Sequence, residues 1–514
     1  MNNNTNNESK ELIVVPKFNF TKYLHIAIII LGSIFILFSS FHESLWFDES
    51  YSVGIASHSF SEIWSIGSHD VHPILYYFML RIVGFFTGNS ILAYRLFSAV
   101  PLIILGILGY THLRKDFGEK TGFIFSFLIL FMPVTLVYAG EIRMYTWAML
   151  FVFGAALYGY RIYKSGISNK NWIIFSIFSL ASAYTHYYSL VAVAIINIAL
   201  FIYFLVNNVK QRNYEVKYIK YSKNLKRSII SAIIQIILYI PWLIVLIGQF
   251  MGVSGGFWIG APNFLEMFEF QFTGNLGTSI HLNKIISYTF CIIMAIYMIY
   301  LFYKKWKEAK PAKLAMALYL AVLIAVGIVS LKTPILYARY LLTITAVFLF
   351  ALAFLMARDN SKIHVNTICV LILIVSAIVN YNLVTTNYDE SNRKPIEFME
   401  SRIEENDIII IDNAAGGYGS GFVAGVNFLD NKLYFWDRLN WNVEEAYKAF
   451  GETVYDLDEL EDYTGRIWVV SDDSDELLEA VIEELGGDIQ VLYNEQFSTK
   501  YQSYQYAISL IERN

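Results

Sequence analysis

The sequence predicts a polytopic α-helical membrane protein with a soluble α/β domain at its carboxyl end. Three observations carry this. Of the 514 residues, 56% are hydrophobic and only 16% are charged, a balance foreign to soluble globular chains. Apolar runs of near 20 residues, enough to cross about 30 Å of hydrocarbon, recur from residue 22 to residue 384. The charge then changes sign: residues 385–514 hold 28 Asp and Glu against 9 Lys and Arg, whereas 1–384 hold 15 against 29.

Eleven spans are expected, near 22–41, 90–113, 121–139, 144–163, 171–187, 189–206, 228–250, 284–303, 312–331, 338–357 and 363–384. Ahead of them, the Asn-rich start within residues 1–21 reads as a disordered cytoplasmic tail. The first span lacks a small-residue cleavage site and is expected to stay as an anchor. Basic residues are retained on the cytoplasmic side, and they cluster in alternate loops: Lys10, Lys17 and Lys22, then Arg114, Lys115 and Lys120, then Arg161, Lys164 and Lys170. The same holds for Lys210–Arg227 and Lys304–Lys313. An amino terminus inside and a carboxyl terminus outside follow from the odd number of spans.

Two segments of the first external loop, 42–89, are too short to cross. Ile74 to Phe86 is apolar for about 13 residues and reads as interfacial or re-entrant. Ser59 to Ile66 places Phe60, Ile63 and Trp64 at helical spacing and reads as a surface helix. Two surface helices flanking a turn are therefore expected.

Beyond residue 385, β-rich runs at Ile408–Ile411, Leu433–Trp436, Ile467–Val470, Ile489–Tyr493 and Tyr506–Leu510 alternate with amphipathic stretches at Ile396–Glu405, Val443–Phe450 and Glu476–Leu485. That is an extracytoplasmic α/β domain. Its acidity argues against nucleic acid as a partner. The Gly416–Gly421 run lacks the register of a nucleotide loop and reads as a turn. Cys291 and Cys369 fall in different spans and imply no disulfide framework.

The chemistry lies on the outer side. The loop from Phe41 to Pro73 holds Asp48, Glu49, His69, Asp70 and His72 and no Lys or Arg. Acids in a loop are ordinarily just solvated, but other polar residues converge on the same side. The third span ends in Tyr138-Ala139-Gly140-Glu141-Ile142-Arg143-Met144-Tyr145, where charges at membrane depth mark a site or pair with each other. The fifth ends at His186-Tyr187-Tyr188, and the tenth begins at Tyr337-Ala338-Arg339-Tyr340. Taken singly, Arg339 reads as an arginine snorkelling to headgroups. Together these groups offer carboxylates as bases and guanidinium forks for phosphate, which points to a reaction between a hydroxyl and a lipid phosphate at the outer leaflet.

In these motifs the chain resembles the polyprenyl-phosphate-sugar-dependent glycosyltransferases of the GT-C superfamily, and within it the protein O-mannosyltransferase-like branch, over roughly residues 20 to 385. The matching elements are Asp48-Glu49, the His72-Pro73-x-x-Tyr76-Tyr77 element, the Glu141-x-Arg143-x-Tyr145 corner, His186-Tyr187-Tyr188 and Arg339-Tyr340. Many relatives carry a second Pro after His-Pro, where this chain has Ile74.

The resemblance implies transfer of a sugar from a polyprenyl-phosphate donor to the hydroxyl of a glycan, lipid or protein acceptor, at the face of the lipid bilayer. Asp48 is then the general base, with Glu141 next in line. Arg339 takes the leaving phosphate, and Arg143 either assists or orients Glu141. Direct displacement inverts the anomeric centre. Glu49, turned away from Asp48 on an extended backbone, orients substrate or a neighbouring helix. His72, Tyr76, Tyr145, His186, Tyr187 and Tyr340 are the implied substrate contacts. Tyr187, Tyr188 and Trp258 suit an interfacial aromatic belt equally well. The one cofactor the pattern allows is a divalent metal on His69, Asp70 and His72, together with Asp48, a spacing that permits coordination without demanding it.

Two other classes compete. A transporter would place its polar residues at mid-membrane on broken, repeated helices. A surface receptor would concentrate its function in the tail and leave Asp48, Glu141 and Arg339 without a reason to converge.

Overall fold

The structure, a computed structural model, describes residues 20–41, 45–164, 168–211, 215–253, 259–260, 262–276, 282–389, 393–412, 431–438, 445–471, 474–498 and 505–514. The Asn-rich start, Trp258 and the Gly416–Gly421 run lie outside the described residues.

The membrane region opens with α1 (Phe20–Phe38), followed by α2 (Phe47–Ser57), α3 (Phe60–His69) and α4 (Leu75–Thr87). Next come α5 (Ile91–Leu108), a π-helical turn at Gly109–Leu113, α6 (Arg114–Phe117), α7 (Glu119–Phe131), α8 (Pro133–Val137), α9 (Tyr145–Lys164) and α10 (Asn169–Ala183). The bundle is completed by α11 (Tyr187–Lys210), α12 (Glu215–Val253), α13 (Phe264–Thr273), α14 (Lys284–Lys305), α15 (Lys310–Ser330), α16 (Leu342–Met356) and α17 (Lys362–Asp389). A 3-10 turn, Ala338–Leu341, leads into α16.

Helices occupy all eleven expected spans, and eight among the described residues are long and apolar enough to cross a membrane. The other three differ for local reasons. The third is broken at Met132-Pro133, where the ring cannot donate to the helix ladder, leaving α7 and α8. The fourth, α9, has the length but carries Arg161 and Lys164 in its last turn, and the fifth, α10, has only 15 residues. The π-helical turn after α5 approaches α7 closely at Gly109 and Gly122, where a Cβ on Gly122 would meet the Gly109 carbonyl oxygen at 2.3 Å.

Helix α16 is the axis of the bundle. Its fifteen residues are all buried, as an all-round apolar helix requires, and it packs against α7, α9 and α15.

The segment between α1 and α5 holds three helices rather than the two expected. α3 and α4 fall where apolar spacing places them, and α4, at 13 residues, stays short of a span. α2 is the addition. The extended backbone expected around Asp48 and Glu49 is instead the first turn of this helix, with both acids where the helix dipole favours negative charge.

The soluble domain begins with α18 (Arg393–Glu400) and contains α19 (Glu476–Leu485). Its strands are β1 (Ile408–Asp412), β2 (Lys432–Trp436), β3 (Glu452–Val454), β4 (Gly465–Ser471), β5 (Ile489–Ser498) and β6 (Gln505–Arg513), in the order β3-β2-β1-β4-β6-β5. β1 to β4 pair in parallel, while β6 runs antiparallel to β4 and β5. Alternate residues face opposite layers. Ile408, Ile410, Tyr434 and Trp436 meet α19, whereas Ile409, Ile411, Phe435 and Trp468 meet Ile396 and Met399 of α18. Of the stretch expected to be helical at Val443–Phe450, residues 445–450 form turns, and β3 was not anticipated.

Those turns dock the domain on the bundle. Phe47 and Tyr51 of α2 join the α18-side core, and Tyr51 meets Tyr447 edge to face at 6.2 Å. The contact needs a glycine: a Cβ on Gly54 would lie 2.5 Å from the Ala446 carbonyl oxygen. One helix is thus held between the bundle and the sheet, and its first turn carries Asp48.

Candidate active site

Three separate stretches of chain bring charge to one place. The first turn of α2 supplies Asp48 and Glu49, the corner between α8 and α9 supplies Glu141 and Arg143, and the 3-10 turn ahead of α16 supplies Arg339.

Consecutive helical residues leave the axis about 100° apart, so Asp48 and Glu49 serve different neighbours. Glu49 faces inward. Its Oε2 accepts from Arg95 Nη2 at 3.1 Å, and its Oε1 accepts from the backbone N–H of Ile142 at 3.0 Å. Both side chains are nearly fully buried. Burial pushes the Glu49 carboxyl above its usual range, against the pull of Arg95 and the two backbone donors from Ile142 and Trp46. Glu49 therefore braces α2 to α5 and to the Glu141–Arg143 corner. Arg95 was missed by the motif reading, although a charge inside a predicted span is a signal of its own.

Asp48 faces the arginines. Arg339 Nη2 lies 2.7 Å from its Oδ2 and Arg143 Nε 3.9 Å from it, while Arg143 Nη1 donates to the Asp48 carbonyl at 3.2 Å and to Ser52 Oγ at 3.1 Å. Arg339 Nη1 also reaches Glu141 Oε1 at 3.9 Å. The side chains of Asp48, Glu141, Arg339 and Arg143 are 20%, 11%, 8% and 4% exposed, so Asp48 is the carboxylate an incoming hydroxyl can reach.

The two acids carry different charges. Burial raises the Asp48 carboxyl, but Arg339, Arg143 and His72 more than offset it and leave it below the usual carboxylate range. Burial pushes Glu141 up to about 8 against the pull of Arg339 and Arg143, with Glu49 and Asp48 adding repulsion. At neutral pH Asp48 is ionised and Glu141 holds its proton.

Arg339 is fixed rather than snorkelling. Its guanidinium carbon sits 5.0 Å from the Trp46 ring and 5.6 Å from each of the Tyr145 and Tyr337 rings. Tyr188 holds the approach to the turn by donating to the Ile335 carbonyl at 2.6 Å and accepting from the Tyr337 N–H at 3.2 Å. Trp46 and Tyr337 were not singled out from sequence, since cation–π partners have no spacing signature.

The remaining candidates divide. His72, Tyr145, His186 and Tyr340 form one aromatic group, with His186 and Tyr340 4.9 Å apart, Tyr145 and His186 5.8 Å apart, and His72 and Tyr340 6.2 Å apart. Tyr76 instead bonds Ser98 Oγ at 2.7 Å, between α4 and α5. Tyr187 turns toward α12, donating to Gln249 and accepting from Trp242 Nε1 at 3.3 Å.

The metal alternative is not assembled. His69 Nδ1 turns back on its own helix, 2.9 Å from the Ser65 carbonyl oxygen, while His72 Nδ1 lies 3.5 Å from Asp70 Oδ2. No group of three His, Cys, Asp or Glu side chains suited to a metal occurs among the described residues.

No protein-family model matches the sequence, and no curated protein matches it. Solved structures do. ArnT from Cupriavidus metallidurans in the apo state superposes with a TM-score of 0.55 at 10% identity, over 95% of this chain and 97% of that one. The same protein bound to undecaprenyl phosphate gives 0.54 at 9% identity, again over 95% and 97%. The likeness takes in both the helical bundle and the appended sheet domain. The chain is therefore a polytopic helical membrane protein with an appended α/β domain that shares the fold of ArnT.

Proposed function

We propose that the chain is a membrane glycosyltransferase that moves a sugar from a polyprenyl-phosphate donor to an acceptor hydroxyl at the outer face of the membrane. The observation that carries this reading is the clamp on Asp48: an ionised, partly open carboxylate between two buried arginines. The fold is that of a protein solved with undecaprenyl phosphate bound, which supports a lipid phosphate as the donor's leaving group.

In this reading the acceptor hydroxyl approaches Asp48, which takes its proton as the oxygen attacks the anomeric carbon. The carbon–oxygen bond to the phosphate breaks, its electron pair stays on the phosphate, and Arg339 neutralises the charge. Attack from the side opposite the leaving group inverts the anomeric centre. Glu141, protonated at neutral pH, does not compete as base. Glu49 and Arg95 act through Asp48 as positioning residues.

The test is sugar transfer from sugar-charged polyprenyl phosphate by purified protein. Asp48→Asn should lower transfer about 10²-fold or more with donor binding retained, the usual worth of a positioned base. Absence of transfer by the unaltered protein from undecaprenyl and dolichyl donors alike would sink the reading.

A further inference from the structure

Resting on that reading, we infer that His186 is held in one tautomer so that its Nε2–H binds the phosphate of the lipid-linked donor beside Arg339 and Tyr145. His186 is the N-cap of α11, and its Nδ1 accepts the backbone N–H of Tyr188 at 3.1 Å. A ring nitrogen that accepts carries no proton, so the neutral imidazole carries its hydrogen on Nε2. With Nδ1 spent on the cap, Nε2 is the ring nitrogen left to meet a ligand.

Capping does not require a histidine. Ser would accept from the same N–H without burying a second polar atom. His186 is 3% exposed, and its Nε2 has no hydrogen-bond partner among the described residues. An unpaired buried donor is costly, so the imidazole needs a use that capping does not supply. Its ring is enclosed by Tyr340 at 4.9 Å, Tyr188 at 5.6 Å, Tyr145 at 5.8 Å and His72 at 6.1 Å between centroids.

Two more donors in this group lack partners among the described residues, the Tyr145 hydroxyl and the Arg339 Nε–H. Arg339 turns Nη2 to Asp48 and Nη1 toward Glu141, and its Nε–H is directed to neither. An N–H of Arg339 and an N–H of His186 can only donate. They match a ligand whose oxygens only accept, which describes a phosphodiester. A sugar hydroxyl brings a proton of its own and is better served by the carboxylates.

The two amide side chains separate the two edges of the ring. Asn places an oxygen near the Nδ1 position and keeps the cap, whereas Gln places an N–H near Nε2. Equilibrium binding of bare undecaprenyl phosphate and bare dolichyl phosphate would be measured on the purified full chain, beside sugar transfer and thermal unfolding. His186→Asn should unfold near the wild-type temperature and bind the bare lipid phosphate about tenfold or more weakly, the worth of one hydrogen bond to a charged group. His186→Gln should recover much of that affinity. Unchanged affinity of His186→Asn for the bare lipid overturns the assignment and leaves the proposed function standing. Equal losses in both variants would make His186 a packing residue and also overturn it. A wild-type chain that binds neither lipid and transfers no sugar removes the proposed function, and the inference with it.

Discussion

Arg339 Nη2 lies 2.7 Å from Asp48 Oδ2, so the residue that suits the leaving phosphate and the residue that suits the base hold each other. The pair has a chemical consequence. An ion pair keeps Asp48 charged and correctly placed, but it weakens the carboxylate as a proton acceptor. A donor phosphate drawing on Arg339 would loosen that hold and strengthen the base as substrate arrives.

Replacing Arg339 by Lys keeps the charge but cannot reach Asp48 and Glu141 from two nitrogens at once. Losing one charge-assisted bond predicts donor binding weaker by about tenfold to a hundredfold in Arg339→Lys. Arg339→Ala should be worse and should also unfold at lower temperature, because it strands Asp48 without its nearest cation. Isothermal binding of undecaprenyl phosphate and a melting curve would measure the two effects separately. Equal donor affinity across the three proteins would remove Arg339 from the phosphate site.

Glu141 gives the pH dependence. Its carboxyl, pushed up to about 8 from an ordinary 4.5, binds its proton more tightly folded than unfolded. The stability this confers is fully present below 4.5 and is lost as pH rises toward 8. Above that value a further negative charge appears beside Asp48 and Glu49, close to where a phosphate would bind. Donor affinity should therefore fall on the alkaline side of pH 8, and Glu141→Gln, which mimics the protonated acid, should bind alike at pH 7 and flatten the decline. A variant with the same alkaline limb as the wild type would assign that limb to another group.

Much of this was legible in the sequence, and the misses have physical causes. Hydropathy located helices at all eleven expected spans because a helix that faces lipid or the apolar interior of a bundle must be apolar along its length. Alternation located five of six strands, and missed β3, whose Glu452-Thr453-Val454 is too short to show a period. The motif residues were found, but not the arrangement that joins them. Asp48-Glu49 looked extended because a single first turn has no apolar repeat, and only the helical turn explains why Glu49 reaches Arg95 while Asp48 reaches Arg339. Tyr76 and Tyr187 belong to motifs by sequence yet face other helices, since a motif fixes spacing and not side-chain direction.

The docking of the soluble domain on α2 can be probed at one atom. Gly to Ala inside a helix ordinarily stabilises by about 1 kcal/mol. At Gly54 the new Cβ would stand 2.5 Å from the Ala446 carbonyl oxygen, backbone that cannot swing aside. Gly54→Ala should instead destabilise, by the about 1–3 kcal/mol typical of overpacking. Gly327→Ala in α15, where nothing lies within 4 Å, is the control and should melt at or above the wild-type temperature. Parallel behaviour of the two variants would mean that the sheet domain does not rest on α2 in solution.

The shared outer face rests on topology, and the soluble domain reports it. Basic residues cluster in alternate loops, and from that pattern we propose that the sheet domain lies outside together with Asp48, Glu141 and Arg339. Among the described residues Cys291 is fully buried on α14 and Cys369 is partly buried on α17, so neither should react readily with a polar reagent. Ser474 lies just ahead of α19, the helix that packs on the face of the sheet opposite the one Tyr447 joins. A membrane-impermeant maleimide should therefore label Ser474→Cys in intact cells, with little signal from the parent chain. Labelling that appears only after lysis would put the domain inside, require α4 to cross fully, and leave Asp48 and Arg339 without access to a donor at the outer leaflet.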